Sequence, residues 1–388
     1  MVKFKIISIY LLHKSGIFLN RVKKFVLNNT RQKKLSGDYT DNHLMDNHLI
    51  ISQAANKVGV SLRRLPDGYL ELKHNEDICY SRSSDFGFEN LIAYKMCGNK
   101  HVTSTILSEN RLPVPNFSAF SRQEVDSAID YFLAQNKPVV VKPASGTSSG
   151  IGISIVQASR SAFVHGFAKA LCYSNSVMVE EYVEGESYRF TVLDGDVLTV
   201  IRRIPACVVA DGVNTIGSLI SLKNKAFFDP LLETRQFEPI TVDGDVRLFL
   251  RKRGLTLKSI PEKGMKIELR RTANASQGGE IMEVTNQCHG DYLEMAVRAD
   301  NLMKTTLSGV DMIIKDVSRP FEKGAAYINE VNTTPGLRIV RERGTNGELD
   351  IKVGEEILAY AFNLDLEESD GGGVEGGHAG STDPRGQD

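Results

Sequence analysis

The chain has 388 residues, 41% hydrophobic and 24% charged, enough to bury the cores of two or three domains. A formal net charge of −1 excludes the bulk basicity of a nucleic-acid or membrane-surface binder. Five cysteines (Cys79, Cys97, Cys172, Cys207 and Cys288) are odd in number and lack a CxxC pair. They argue against a disulfide framework or zinc site and for a reducing, cytoplasmic compartment.

The N-terminus, "MVKFKIISIYLL", has the charged and apolar regions of a signal peptide. His13-Lys14 breaks the apolar run and no small-residue cleavage site follows, so a first structural element is the favoured reading. No apolar stretch has the length of a membrane span. Residues 1–35 hold nine Lys or Arg and no acid before Asp38. That basic segment reads as a solvated helix face with Val22, Phe25 and Val26 inward, or as an arm for an anionic partner. A helix-like run from Leu49 to Val58 leads to short strands at "SLRRL" and "YLELK", with the turn "PDG" at 66–68 between them. Residues 88–110 read as mostly helical, and "RLPVP" marks a boundary at about 111–115.

A helix over Ser121 to Gln135 precedes "KPVVVKP", whose consecutive valines predict a buried strand, and "VMVEEYV" predicts another. "YRFTVLDGDVLTVIRR" predicts a hairpin turning at Asp194-Gly195. "NTIGSLISL" predicts a short helix, while "VRLFL" and "MKIELRR" read as strands that lead to "GGEIMEV". A helix from Tyr292 to Leu307, strands "GVDMIIKDV" and "AAYINEVN", and a closing helix "VGEEILAYAF" follow. The Gly-rich polar tail reads as disordered. The expected organisation is a basic segment 1–40, a small domain 41–113, a central subdomain 114–187, a C-terminal subdomain 188–365 and a tail 366–388.

Three stretches carry chemistry. "VVVKPASGTSSGIGISI" delivers Lys142 from a buried strand into a Gly/Ser-rich loop. Such a loop can present backbone N–H groups to polyphosphate, although a flexible connection explains it equally. No Gly-Lys-Ser/Thr follows the glycines, so it is not a P-loop. "VMVEEYVEGESYR" could offer main-chain groups to an adenine edge and a carboxylate to ribose; alone, it is an ordinary edge strand with surface glutamates. In "YINEVNTTPG", Glu330 and Asn332 share one face of a strand, and Asp311 of "GVDMII" converges with them if the two strands pair. Three hard oxygen donors on rigid strands suit Mg²⁺.

In order and spacing these segments resemble the ATP-grasp superfamily over roughly residues 90–362. "IRRIPACVVADGVNTIGSLI", "LRRTANASQGGEIMEVT" and "TTPGLR" are most similar to cyanophycin synthetase and the ligase half of bifunctional glutathione synthetase. The resemblance implies an α+β fold: two ATP-grasp subdomains enclosing ATP, with a small N-terminal α/β domain. It also implies that Lys100 and Lys142 meet ATP phosphates under a loop containing Ser149 and Gly150. Glu180, Glu181, Tyr182 and Val183 hold adenine, with Glu186 near ribose. The same resemblance implies that Asp311, Glu330 and Asn332 bind Mg²⁺, two ions in such sites. Arg270, with Asn274 nearby, lies at the reacting phosphate, and Arg203, Arg189 and Arg338 orient substrate carboxylates.

The sequence departs from the family in places. Asn99 precedes Lys100 where relatives more often carry an acid, and Ser187 stands where Asp or Glu is common. The implied activity is ATP-dependent amide formation through an acylphosphate on amino acids or small peptides, without nucleic acid or membrane and, by analogy, as a dimer. Two alternatives stay open: a ligase modifying a larger peptide, and an ATP-binding regulatory module without turnover.

Overall fold

The computed structural model describes residues 42–147, 150–157, 159–227, 239–271, 273, 278–337 and 351–366. The expectations for segment 1–40 and for the tail beyond 366 lie outside the described residues, as do Ser149, Asn274 and Arg338. No described helix is long and apolar enough to cross a membrane.

Helix α1 (Asn42–Lys57) leads into a three-stranded antiparallel sheet of β1 (Ser61–Arg64), β2 (Tyr69–His74) and β3 (Asp77–Arg82). The 66–68 turn joins β1 to β2 with Asp67 and Gly68 at positive φ, but β3 was not anticipated. Helices α2 (Leu91–Cys97) and α3 (Lys100–Glu109) follow, each started by an asparagine cap, Asn90 and Asn99.

The next unit is a four-stranded antiparallel sheet in the order β4-β7-β5-β6. It contains β4 (Phe117–Ser121), β5 (Val139–Pro143), β6 (Ser154–Val156) and β7 (Ser176–Glu181). Val139, Val141, Val177 and Val179 point to one face and bury against α4 (Val125–Ala134) and α5 (Arg160–Ala170), where Phe132 stacks on Phe163. The helix expected from Ser121 therefore begins later, because Phe117–Ser121 is spent as strand β4.

A five-stranded antiparallel sheet, ordered β12-β9-β8-β13-β14, forms the largest unit. It comprises β8 (Glu186–Leu193), β9 (Asp196–Ile204), β12 (Glu280–Glu283), β13 (Leu307–Ile314) and β14 (Ala326–Asn332). Leu193 pairs with Asp196 across a two-residue turn in which Asp194 and Gly195 both take positive φ, as the hairpin reading expected. One face packs on α8 (Gly290–Met303), whose Tyr292, Met295, Ala296, Ala299 and Met303 recur at helical spacing. The expected run to Leu307 stops earlier, since Lys304 ends the helix in the left-handed conformation and Leu307 opens β13.

Residues 206–269 carry a core of their own, with a two-stranded sheet of β10 (Cys207–Val209) and β11 (Lys266–Glu268) beside α6 (Ile216–Phe227) and α7 (Gly244–Lys252). Here "VRLFL" is helix rather than strand. Asp243 caps the N-terminus through Asp245 and Val246, and Val246 and Leu250, four apart, bury together. The closing helix α9 (Lys352–Phe362) packs on α1 and shares its core with Leu193, Ile201 and Leu307 of the five-stranded sheet. Gly354 permits the close approach, because a Cβ there would lie 3.0 Å from Ala54 and Ile50 side-chain carbons.

Candidate active site

Strand periodicity gives each of the two larger sheets an apolar face toward helices and a second face that carries charge. On the four-stranded sheet Lys142 and Glu180 share the face away from α4 and α5. They form a buried ion pair, Nζ to Oε1 2.7 Å, with side chains 3% and 6% exposed. Lys142 Nζ also donates to Asn329 Oδ1 on β14 at 3.2 Å, so the charged faces of the two sheets abut.

On the five-stranded sheet Arg189, Asp311 and Glu330 are register partners across β8, β13 and β14. Between Asp311 and Met312 the β13–β14 register slips, because Asn329 is an extra residue in β14. Ile328 and Val331 both enter the core against α8, although they are three apart, so the bulge turns Asn329 and Glu330 to the same charged side. Strict alternation could not have found Asn329, and it is the site residue that sequence reasoning missed.

Asp311 is buried and saturated. Arg189 donates Nε to Oδ1 at 2.7 Å and Nη2 to Oδ2 at 2.8 Å. Arg203 adds Nη2 to Oδ1 at 2.9 Å and Nη1 to Oδ2 at 3.1 Å. Asn332 Nδ2 lies 3.5 Å from Oδ2 and 3.4 Å from the Gly309 carbonyl. Glu330 accepts from Lys100 Nζ at 2.9 Å. Burial would push the Glu330 carboxyl up, but Lys100, Lys142 and Arg189 outweigh it and hold the carboxyl well below the usual range. Burial also works against both guanidiniums. Asp311 overcomes it at Arg189, whose pKa is raised, whereas the like charge of Arg189 leaves Arg203 lowered.

The donor set fits Mg²⁺ in kind, since Asp311, Glu330 and Asn332 offer hard oxygens on two paired strands. No group of three or more acidic, His or Cys side chains stands ready as a metal cage among the described residues. Asp311 reaches a cation only if a guanidinium gives way, whereas Lys100 engages only the Oε2 atom of Glu330. Adenine recognition fits the main chain alone. The Glu181 and Tyr182 N–H groups are spent on Asn116 and Pro138 carbonyls, and among the described residues the Val183 N–H has no protein acceptor. The Glu181 carboxylate turns away, pairing with Lys137 and accepting from the Asn116 N–H at 3.2 Å.

Several expected site residues stand elsewhere. Glu186 lies on the α8 side of β8, with Tyr188 and Arg202 as partners, on the opposite face from Arg189; the expected ribose carboxylate is therefore not in the charged row. Ser187 has the parity that faces it. Arg270 is buried beside α7, donating Nη2 to the Thr241 carbonyl at 2.9 Å and to Asp243 at 2.8 Å; among the described residues its Nε has no partner. None of its described contacts is to the Asp311 cluster. Gly150 lies exposed in the loop after β5 at positive φ. Asn99, which stands where relatives carry an acid, caps α3 through the N–H groups of His101 and Val102. All five cysteines are free, and burial pushes Cys97 and Cys288 up to about 12, as expected of packing thiols.

Residues 106–212 match the family model "D-ala D-ala ligase C-terminus". The glutathione biosynthesis bifunctional protein of Streptococcus agalactiae is 38% identical over 278 residues, 69% of this chain and 36% of that protein. Its Clostridium perfringens counterpart is 31% identical over 355 residues, 89% of this chain and 44% of that protein. The crystal structure of a bifunctional glutathione synthetase from Pasteurella multocida superposes with a TM-score of 0.58 at 28% identity, covering 83% of this chain and 44% of that one. The chain thus spans less than half the length of these relatives.

Proposed function

The chain belongs to the ATP-grasp ligases, and on that premise we propose that it joins a carboxylate to an amine at the expense of ATP, releasing ADP and phosphate. The substrates are amino acids or small peptides, the class to which glutathione belongs. The observation that carries the reading is the convergence of Lys100, Lys142, Asp311, Glu330 and Asn332 where two antiparallel sheets meet. We read 114–187 as the subdomain that covers the nucleotide and the sheet of 188–365 as its floor.

When bound, ATP supplies the phosphoryl group that makes the carboxylate oxygen a leaving group, and Mg²⁺ neutralises charge during its transfer. Asp311, Glu330 and Asn332 would hold the metal. Lys100 and Lys142, now paired with Glu330 and Glu180, would hold the phosphate oxygens in place. The Val183 N–H would be the donor available to adenine. Arg203 would face the anionic groups of the reactants while Arg189 holds Asp311, and the abutting sheets exclude water so that the activated acid meets the amine.

The test is coupled ADP and phosphate release by the purified chain, with Mg-ATP and pairs of amino acids and dipeptides. The panel includes γ-glutamylcysteine with glycine, the two halves of glutathione's terminal amide. Release that requires one specific pair, yields its condensed mass and vanishes in Glu330→Ala is expected. Release without any pair, or undiminished in Glu330→Ala, refutes the proposal.

A further inference from the structure

Asp311 accepts two bidentate guanidiniums, yet the two reach it differently. Arg189 stands on the neighbouring strand, directly opposite Asp311 in the register. Its stem lies over Gly309: a Cβ there would come within 3.1 Å of Nε, 3.2 Å of Cδ and 3.1 Å of the Pro335 Cβ. The absent side chain and the proline ring together make a seat that only an unsubstituted residue 309 leaves open. Arg203 starts one strand further away, on β9, in the row of Ser187 rather than of Arg189. It meets Asp311 end-on, through its two terminal nitrogens, from the position opposite Ser187 in the register.

Charge adds a second argument. Among the described residues, Lys100, Lys142, Arg189 and Arg203 face only Glu180, Asp311 and Glu330, so one cation lacks its own carboxylate. A net charge in so buried a place is costly unless an anion completes it. Of the four, Arg203 shares the carboxylate that already has a nearer arginine.

We propose that Arg189 is the permanent partner of Asp311, a positioning residue seated by Gly309 and Pro335, and that Arg203 is the exchangeable one, which leaves Asp311 to bind an oxyanion of the reactants. Its departure frees a lone pair on each Asp311 oxygen for a cation, so anion and metal binding at this row are coupled. The proposal rests on the ligase reading of the cleft. The oxyanion is either the carboxylate of the acid substrate or the terminal phosphate of the nucleotide, which share the fork geometry that arginine recognises.

The experiment compares wild type with Arg189→Met, Arg203→Met, Arg203→Lys and Gly309→Ala by thermal unfolding. The probes are sodium succinate and sodium phosphate, each against sodium chloride at matched ionic strength. Without probe, Arg189→Met and Gly309→Ala are expected to unfold earlier than Arg203→Met, because they disturb the fixed pair. At least one probe should raise the wild-type melting temperature. Its apparent Kd should weaken about ten-fold or more in Arg203→Met, the weight of one charge-assisted pair, and recover partly in Arg203→Lys. Protection by succinate assigns Arg203 to the acid substrate, and protection by phosphate assigns it to the nucleotide. Unfolding of Arg203→Met as early as Arg189→Met overturns the division of roles. So does the absence of any protection, or protection indifferent to Arg203. No readout needs turnover, so a chain that releases no ADP with any substrate pair would sink the ligase reading while leaving these outcomes to decide the arginines.

Discussion

The Lys142–Glu180 pair offers a quantitative test of how the charged cleft is held. Both side chains are almost fully buried, and the pair is 2.7 Å long. Removing one member of a buried pair costs about 3–5 kcal/mol, because the survivor is stranded out of water. The two survivors are not equal here. After Glu180→Leu, Lys142 keeps Asn329 Oδ1 at 3.2 Å, worth about 1 kcal/mol, so a loss of about 3 kcal/mol is expected. After Lys142→Met, Glu180 has no other described partner, and about 4–5 kcal/mol should be lost. The double variant removes both charges and leaves only Asn329 short of a donor, so it should cost about 1 kcal/mol, far less than the two single changes combined. Urea unfolding at neutral pH, followed by far-UV circular dichroism because the chain has no tryptophan, measures all three. Additive losses, or single losses under about 1 kcal/mol, would refute the buried-pair argument. A larger loss for Glu180→Leu than for Lys142→Met would refute the role given to Asn329.

Asp300 is buried and accepts from Thr305 Oγ1 at 2.6 Å and Ser308 Oγ at 2.5 Å, and burial raises its pKa. The folded chain therefore holds this proton to higher pH than the unfolded chain does. Its contribution to stability is fullest below the ordinary aspartate value of about 4 and declines as pH rises above it. Asp300→Asn should flatten that decline; urea midpoints whose difference from wild type does not change between pH 4 and 7 would contradict it. Asp243→Ala removes both the α7 cap and the Arg270 partner, and should cost about 1–2 kcal/mol for the cap alone. Asp243→Asn, which keeps a capping oxygen, should recover most of that loss in the same assay. Gly195→Ala forces a Cβ onto a residue at φ +89° and should destabilise the β8–β9 hairpin by about 1 kcal/mol, read as a lower melting temperature.

Local pattern carried much of the fold. Asp194-Gly195 between two alternating runs specifies a hairpin because few residues accept its backbone angles. The valines of β5 announce a buried strand, and the spacing of Tyr292, Met295, Ala296 and Ala299 announces a one-sided helix. "VRLFL" shows where pattern becomes ambiguous. Val246, Leu248 and Leu250 alternate like a strand, and Val246 and Leu250 are also one helical turn apart. The arbiter was Asp243, three residues upstream and visible in the sequence as a cap, which makes helix the better reading. The short edge strands β3 and β4 left weaker signals, because their stability comes from their partners.

By itself, then, the sequence determined which residues could share a face, because period two or period 3.6 follows from backbone geometry alone. Asp311, Glu330 and Asn332 were legible as a set of oxygen donors on that basis. Only the tertiary structure decided what each of them faces. The bulge at Asn329, the turning of Glu186 to the far side of β8, and the two arginines that saturate Asp311 all depend on strand register. Register is settled by how whole strands pack together, including partners as distant in sequence as Arg189 and Asp311. A charged side chain buried there must find its counter-charge among whatever neighbours that packing supplies.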